Sequence, residues 1–319
     1  MIKGKERPWS IYKIVGNIVF IMALLIGAYM INNYFFTYPV IVSVLKSAAL
    51  VAVLAMAESI VLVTGGIDLS LVSVSLLSSS SIFYLVETQT MGLVPAVLIG
   101  IVLGGLVGWI NGVFISKLDI MPIITTMGTG LLARGISGAI TNNIIIFDTR
   151  PEFEFFKSVS AFVIPTSLIF ALFIMLCCYL LFRYTVAGRQ VFAVGGSERS
   201  AQLSGLNIHR IKIYAYTGAG LMAGLGSLMV LADSAIAARF YDGGADVEIL
   251  LAAIIGGVSL YSGAKMFFRV CIGAGIIAVL TRLIYGLFVF NSMRAIIIAV
   301  ILLILIAFRK SIFKRENKG

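Results

Sequence analysis

The sequence contains repeated apolar stretches of about 20 residues, and this feature constrains the fold more than any other. A stretch of that length matches an α-helix that crosses the hydrocarbon core of a bilayer. Of the 319 residues, 60% are hydrophobic and 12% are charged, whereas about a quarter of the residues in soluble domains are charged. We therefore predict an all-α, polytopic membrane protein with a single transmembrane domain over residues 1–319.

About ten spans are predicted, some of them broken or re-entrant. They cover residues 14–31, 41–63, 69–86, 92–115, 121–141, 160–182, 211–232, 248–263, 267–288 and 291–308. The run after the basic segment 1–13 is longer than a signal-peptide core and lacks a small-residue cleavage site, so we expect a retained first helix. The longest inner loop is 183–212, and a basic tail covers 309–319.

Basic residues are distributed unequally between the two sides of the membrane. With ten spans, both termini and seventeen Lys or Arg residues lie on one side, and four lie on the other. The larger set is Lys3, Lys5, Arg7, Lys13, Lys117, Arg183, Arg189, Arg199, Arg210, Lys212, Lys265, Arg269, Arg309, Lys310, Lys314, Arg315 and Lys318. The smaller set is Arg150, Lys157, Arg239 and Arg294. Because basic residues favour the cytoplasmic side, we predict that both termini are cytoplasmic.

Several functional classes are not supported by the sequence. The net charge of +10 is explained by the topology signal, so no nucleic-acid partner is predicted. Cys177, Cys178 and Cys271 have no ligand-like spacing to the single histidine, His209, so we expect neither disulfides nor a metal site. We also find no phosphate-binding loop and no matched nucleophile and base, so no catalytic residue is predicted.

Glycines recur at four-residue spacing in two predicted spans. Small residues at this spacing let helix backbones approach closely in a membrane. The predicted packing residues are Gly100, Gly104, Gly108, Gly112, Gly220 and Gly224. Glycine at this frequency also permits bending, and the sequence does not separate the two roles.

The stretch "LVTGGIDLSLVSVSLL", residues 62–77, interrupts an apolar run. Gly65 and Gly66 weaken helix continuity, and Asp68 with Ser70 offers caps for the helix that follows. A helix that ends at membrane depth must line a cavity or be buried in protein, and transporters place substrates beside such breaks. The residues alone leave two alternatives open: a tight turn between helices, or part of a substrate pathway.

Polar residues near this break and near other span ends form the predicted substrate pathway. Hydroxyls and amides suit a polyol, although helix-to-helix hydrogen bonds are their commoner use. The predicted pathway residues are Glu58, Thr64, Gly65, Gly66, Asp68, Ser70, Asn111, Thr125, Thr126 and Arg134. Charges inside spans are energetically costly, so Lys46, Glu58, Arg134 and Arg282 either pair across helices or take part in function.

The inner loop contains the signals of a short helix. Ser197 is its predicted N-cap, Ala201 and Leu203 are apolar, and Gly205 ends it. A short helix lying across the inner ends of spans suits transmission of force from a cytoplasmic partner. The alternative is an amphipathic loop that rests on lipid headgroups.

Two motifs in the first half of the chain match a known pattern. "TGGIDLSLVS", residues 64–73, follows T-G-G-I-D-L-S-V-G-S through its first seven positions and departs from it at Leu71 and Val72. "NGVFISKLDIMPIITTMGTGLLARG", residues 111–135, is similar to N-G … P-x-x-x-T-L-G … R-G, with Met127 where leucine is usual.

Two further motifs follow in the same order. "GRQVFAVGGSERSAQLSGL", residues 188–206, is similar to G-R-x-x-Y-A-I-G-G-N-x-x-A-A-x-x-S-G-I, with Ser197 for asparagine and Ser200 for alanine. "GADVEILLAAIIGGVSLYSGA", residues 244–264, resembles G-Y-E-L-D … I-G-G-T-S-L-x-G-G, although Ala245 lacks the aromatic ring. With all four motifs, the chain resembles the permease subunits of ribose-type sugar importers of the ATP-binding-cassette class, a family that includes xylose, arabinose, galactose and autoinducer-2 permeases.

This resemblance implies a type II-like importer permease in the bacterial cytoplasmic membrane. The implied partners are a second copy or a sister permease, two ATPase subunits that bind ATP and Mg²⁺, and an external substrate-binding protein. The implied substrate is a pentose, a hexose or a related monosaccharide; the alternatives are a nucleoside, autoinducer-2, an amino acid or, further away, ATP-independent secondary transport. The ATPase-coupling residues implied by the family's coupling helix are Gly188, Arg189, Gly195, Gly196, Ser197, Ala201, Leu203, Ser204 and Gly205.

Overall fold

The computed structural model describes residues 33–145, 158, 164–233, 244–258 and 260–286, together with Ile26 and Tyr29. The predicted spans 14–31 and 291–308, the N-terminal segment 1–13 and the tail 309–319 lie almost entirely outside the described residues. Two compact units are distinguished. Residues 45–277 hold every site discussed below, and in the other unit Phe35 and Leu283 form an apolar cluster with Val40, Val44 and Val279.

Ten α-helices occur in the described part of the chain. They are α1 (Tyr38–Val63), α2 (Leu71–Glu87), α3 (Leu93–Lys117), α4 (Pro122–Thr141), α5 (Thr166–Tyr184), α6 (Val186–Gly196), α7 (Glu198–Leu203), α8 (Ile208–Ala232), α9 (Ala245–Ile255) and α10 (Met266–Gly286). Two 3₁₀ helices, Asn33–Phe36 and Leu260–Lys265, precede α1 and α10.

The prediction of an all-α, polytopic membrane protein is confirmed. Among the described residues, six helices are long and apolar enough to cross a bilayer: α1, α3, α4, α5, α8 and the helix over Gly263–Ile284. The 17-residue α2 is a shorter apolar helix, and most of its length is buried against α3, α4 and α8. The total of about ten spans remains a prediction.

One predicted span, residues 248–263, is wrong in length. The helix found there, α9, has 11 residues and rises only about 16 Å, roughly half of a bilayer core. It is followed by its C-cap, Gly256, where an added Cβ would lie 2.7 Å from the Cα of Val270 in α10. The chain then turns and continues as the 3₁₀ helix Leu260–Lys265, so the apolar run covers a half-length helix and a bend.

Helices α3 and α8 pack with their backbones in direct contact. A Cβ added at Gly104 would overlap the carbonyl oxygen of Gly220, and the reverse is also true. At Gly108 an added Cβ would overlap the carbonyl oxygen of Tyr216, and at Gly112 it would lie 2.7 Å from the Cα of Ile213. The glycines at four-residue spacing therefore lie where the structure leaves no room for a side chain.

Gly100 and Gly224 extend the same contact toward α2. A Cβ at Gly224 would lie 2.7 Å from the Cα of Ile101, and one at Gly100 would lie 2.6 Å from the side chain of Ile82. These positions join α2, α3 and α8 into one closely packed group.

Of the four charged residues singled out within predicted spans, Lys46 and Arg134 have ion pairs. Lys46 Nζ lies 3.5 Å from a carboxylate oxygen of Asp233, just after the end of α8. Arg134 in α4 lies 3.7 Å from a carboxylate oxygen of Asp246, in the first turn of α9. Burial raises the pKa of Asp246 to about 6, and the guanidinium of Arg134 acts in the opposite direction. Arg282 is half-buried in α10.

Candidate functional site

The break between α1 and α2 begins with a hydrogen-bonded helix end. The amide of Gly66 donates to the carbonyl of Val61 at 3.2 Å, and that of Gly65 donates to the carbonyl of Leu62 at 3.1 Å. This pairing is the Schellman motif, which needs a left-handed residue just after the helix. Gly65 supplies it, with φ of 84°. The two glycines therefore terminate α1 with satisfied carbonyl groups.

A buried carboxylate from α1 holds the chain after the turn. The backbone amide of Asp68 donates to both carboxylate oxygens of Glu58, at 3.3 and 3.2 Å. Both residues are buried, with 1% of Glu58 and 4% of Asp68 exposed. Glu58 thus fixes the break from within the helix that precedes it.

Asp68 in turn shapes the start of α2. Its Oδ1 accepts hydrogen bonds from the backbone amide of Ser70 at 2.9 Å and from the Ser70 hydroxyl at 2.5 Å. We predicted that Asp68 and Ser70 would cap the new helix, and the outcome is more specific. Ser70 occupies the N-cap position without a side-chain capping bond, because its hydroxyl donates to Asp68.

Helices α3 and α4 complete the network from the other side. The amide of Asn111 donates to the Ser70 hydroxyl at 3.0 Å, and its carbonyl accepts from the Thr129 hydroxyl at 2.7 Å. The Thr126 hydroxyl oxygen accepts from the backbone amide of Leu69 at 3.2 Å. The break, α1, α3 and α4 are therefore joined by one chain of hydrogen bonds.

The polar groups of the break are buried in the helix bundle, whereas Gly65 at the turn itself is exposed. Asn111 precedes the end of α3 by six residues, and Thr126 is the fifth residue of α4. At 1.5 Å per residue, both are about 6–9 Å from the turn that joins α3 to α4. The hydrogen-bonded part of the break therefore lies roughly one to two helical turns away from the α3–α4 connection.

Two buried polar atoms beside the break have no hydrogen-bond partner among the described residues: Asp68 Oδ2 and the Tyr216 hydroxyl. Tyr216 belongs to α8 and is 1% exposed. Its hydroxyl lies against Gly66, because a Cβ added there would overlap that oxygen. The free carboxylate oxygen and the free hydroxyl are thus available to a polar molecule if the break opens.

The remaining predicted pathway residues have local contacts. The hydroxyls of Thr64 and Thr125 donate to carbonyls in their own helical turns, those of Val61 at 2.8 Å and Met121 at 3.3 Å. Arg134 pairs with Asp246 and, among the described residues, forms no hydrogen bond to the polar groups of the break, so the structure brings together only part of the predicted set.

Sequence reasoning missed two residues of the site, Thr129 and Tyr216. Thr129 lies three positions after Thr126, which places both hydroxyls on one face of α4. Tyr216 is an aromatic residue with a polar end inside an apolar span, and such residues usually find a hydrogen-bond partner when buried. Both signals were present in the sequence, but neither indicated the neighbouring helix.

The inner loop folds into two short helices, of which α7 was predicted and α6 was not. Ser197 Oγ accepts from the amide of Ser200 at 3.2 Å and caps α7. Gly205 has φ of 81°, and the amide of Leu206 donates to the carbonyl of Ala201 at 3.1 Å. The helix therefore ends in the same Schellman motif as α1.

Contacts at both ends hold these helices on the spans. A Cβ at Gly188 would overlap the backbone of Phe182, so α6 rests directly on the last turn of α5. Glu198 pairs with Lys212 of α8 at 2.7 Å. Ala201 is buried, whereas Leu203 is 83% exposed, so an apolar side chain projects from an anchored helix.

The other predicted coupling residues lie along the same two helices. Arg189 donates to the carbonyl of Tyr184 at 3.4 Å, and Ser204 Oγ donates to the carbonyl of Ser200 at 2.9 Å. Gly195 and Gly196 form the last positions of α6. The predicted coupling residues therefore lie close together on α6 and α7 and at the turn that ends α7.

Comparison with known proteins places these features among transport permeases. The chain is 29% identical over 274 residues, 85% of each chain, to the ribose import permease protein RbsC of Escherichia coli (strain K12). It is 32% identical over 238 residues, 74% of this chain and 69% of the relative, to the galactofuranose transporter permease protein YtfT of the same strain. It is 24% identical over 308 residues, 92% of this chain and 89% of the relative, to the fructose import permease protein FruG of Bifidobacterium longum (strain NCC 2705). No solved structure matches.

These relatives confirm the resemblance to ribose-type permeases that the four motifs indicated. A family match covers residues 40–306, which includes the break, the inner loop and all of the described spans except the first two residues of α1. The chain therefore belongs to the family described as the branched-chain amino acid transport system / permease component.

Proposed function

We propose that the chain is the membrane permease subunit of an ATP-binding-cassette importer that carries a monosaccharide. The observation that carries the proposal is the match over 85% of both chains to a protein named as a ribose import permease. A D-allose transport system permease of Escherichia coli matches over 82% of this chain. The description of the family mentions branched-chain amino acids, but the relatives just described are named for sugars, and we therefore favour a sugar.

The proposed assembly contains two permease chains, two ATPase subunits on the cytoplasmic face and an external binding protein that delivers the sugar. ATP and Mg²⁺ are assigned to the ATPase subunits. The α6–α7 pair is the proposed contact with the ATPase, since it is anchored to α5 and α8 and carries the exposed Leu203. In this orientation both termini are cytoplasmic.

The buried break is the proposed gate of the pathway. In the described conformation its hydroxyl, amide and carboxylate groups bond to one another through Ser70, Asn111 and Thr129. Separation of α4 from α2 would expose these groups, and sugar hydroxyls could replace the lost partners. Exchange of one hydrogen bond for another has a small net free energy, so such a pathway binds substrate weakly and releases it easily.

The proposed function is tested by reconstitution in vesicles with the ATPase and the binding protein encoded beside this chain. We expect uptake of a labelled monosaccharide that requires both partners and ATP. Ribose, allose, galactose, adenosine and leucine are compared as substrates. Uptake of leucine or adenosine, but of no sugar, would show that the substrate is an amino acid or a nucleoside instead of a sugar. Uptake without ATP would indicate secondary transport.

Replacement of Asp68 tests the break. In Asp68→Ala the buried amide and hydroxyl of Ser70 lose their acceptor, at about 1–3 kcal/mol for each unsatisfied group. We expect the melting temperature of the purified protein to fall by roughly 5–10 °C and sugar uptake to fall with it.

Asp68→Asn separates stability from transport, because an amide oxygen can still accept from Ser70. We expect this variant to melt close to the wild-type temperature and to transport more slowly, since the amide nitrogen replaces the second carboxylate oxygen, Oδ2, which has no partner among the described residues. Normal uptake by Asp68→Ala would remove the residue from both the pathway and the fold.

A further inference from the structure

A groove of about 550 Å³ lies between the end of α3 and the start of α8. Its lining residues are Trp109, Lys117, Asn207, His209, Arg210, Ile213 and Tyr214. Lys117, Arg210, Trp109 and Tyr214 are all exposed. The groove thus combines cations at a helix end with aromatic rings farther along the spans.

The charge of the groove is entirely basic. Lys117 and Arg210 line it, and no acidic residue does. The nearby Lys212 pairs with Glu198 at 2.7 Å, and both line an adjoining groove that shares Asn207 and His209 with this one and also contains Asp119. The imidazole of His209 donates from Nδ1 to the carbonyl of Ser116, and Nε2 has no hydrogen-bond partner among the residues that the structure describes.

The backbone adds to this positive potential. Asn207 caps α8 by accepting from the amide of Arg210 at 3.0 Å, so the positive end of a 25-residue helix borders the groove. At the C-terminus of α3, where the helix dipole is negative, two carbonyl groups accept hydrogen bonds from within the protein. The carbonyl of Ser116 accepts from His209, and that of Phe114 accepts from the amide of Ile120 at 3.2 Å.

The aromatic residues indicate a position at the membrane interface. Trp109 is 51% exposed and Tyr214 is 65% exposed, and both belong to helices long enough to cross a bilayer. Tryptophan and tyrosine concentrate at the level of lipid headgroups. From Trp109 toward the middle of α3, Leu106 and Val102 continue the exposed apolar surface, which matches the acyl chain of a bound lipid.

We propose that this groove binds the headgroup of an anionic phospholipid. The phosphate lies between Lys117 and Arg210, at the N-terminus of α8, and an acyl chain follows Trp109 along α3. Basic pockets between the ends of membrane helices bind anionic headgroups in this way. The groove borders the α3–α8 contact and the loop that precedes α8, so a bound lipid headgroup would act on α8, the helix that also holds α7 through the Lys212–Glu198 pair.

The two tryptophans of the chain, Trp9 and Trp109, make a direct test possible. In the variant Trp9→Phe, all tryptophan fluorescence comes from Trp109. The full-length variant is placed in lipid vesicles that contain a fixed fraction of brominated phosphatidylglycerol or brominated phosphatidylcholine. Bromine quenches tryptophan at short range, so we expect stronger quenching by the anionic lipid, with an apparent affinity preference of at least about fivefold.

In the same background, Lys117→Gln with Arg210→Gln is expected to reduce this preference to less than about twofold, because each basic residue near an anionic surface contributes roughly fivefold. Arg183→Gln, at the end of α5 beside Tyr179 and Tyr184, is the matched control and keeps the preference. Circular dichroism of all variants checks that the helices are retained.

Three outcomes would overturn the proposal. Equal quenching by the two brominated lipids would show that the groove does not select charge, and weak quenching by both would show that Trp109 is covered by protein. The quenching is also measured with 50 mM inorganic phosphate, on the order of the concentration needed to compete at a weak anion site. This measurement shows whether the phosphate group in the groove belongs to a lipid or to a free anion. Loss of the preference there would assign the groove to a free anion instead of a lipid.

Discussion

Replacing Gly220 by alanine is expected to destabilise the folded protein more than any other single methyl group placed on α8. The new Cβ would overlap the carbonyl oxygen of Gly104, and backbone atoms cannot rotate away as a side chain can. Overpacking costs about 1–3 kcal/mol in flexible surroundings, and we expect the upper end or more here. In detergent, the melting temperature should fall by roughly 5–10 °C, together with the yield of monodisperse protein.

Gly218→Ala is the matched control, because it lies on the same helix and no atom lies within 4 Å of an added Cβ. Alanine favours a helix over glycine by about 1 kcal/mol, so this variant should melt at or slightly above the wild-type temperature. If the two variants had equal melting temperatures, α3 and α8 could not be in direct backbone contact.

Gly205→Pro is expected to abolish the association of the proposed ATPase with the membrane subunit. Gly205 has φ of 81°, whereas proline is fixed near −65°, and the Gly205 amide that donates to Gln202 at 3.0 Å would be lost. The end of α7 must then unwind and displace Leu203. We expect co-purification of the ATPase to fall by more than about tenfold, or 1.4 kcal/mol, as with deletion of residues 197–203.

Gly205→Asn distinguishes backbone conformation from side-chain size, since asparagine tolerates left-handed backbone better than other residues do. This variant should keep most of the association. Membrane insertion is measured for each variant by carbonate extraction, and we expect no change. Normal ATPase recovery with both Gly205→Pro and the deletion would exclude α7 as the coupling contact.

The break shows how far local sequence reasoning reaches. Gly65, Gly66 and Asp68 were identified from their own chemistry, because helix termination and capping depend on neighbours a few residues away. The contributions of Thr129 and Tyr216 depend on how α4 and α8 are positioned by tertiary packing. No local pattern determines that position, and so the partners of the break were found only in the structure.

The incorrect span over residues 248–263 has a related cause. Hydropathy measures whether a segment is apolar, but it does not measure whether the segment stays helical over its full length. Gly256 and Gly257 interrupt that run in the sequence, and the contact of Gly256 with Val270 makes the chain turn back along α10. The unpredicted α6 is short and lies beside α5, so its stability comes from packing more than from intrinsic propensity.

The backbone contact between α3 and α8 also limits how the protein can move. Shear motions need a layer of side chains that can change rotamers while helices slide, and the glycine positions of these two helices provide no such layer. We therefore expect α3 and α8 to travel together as one rigid body during a transport cycle. Conformational change is then concentrated at the joints beside that body, the polar break before α2 and the glycine bend after α9.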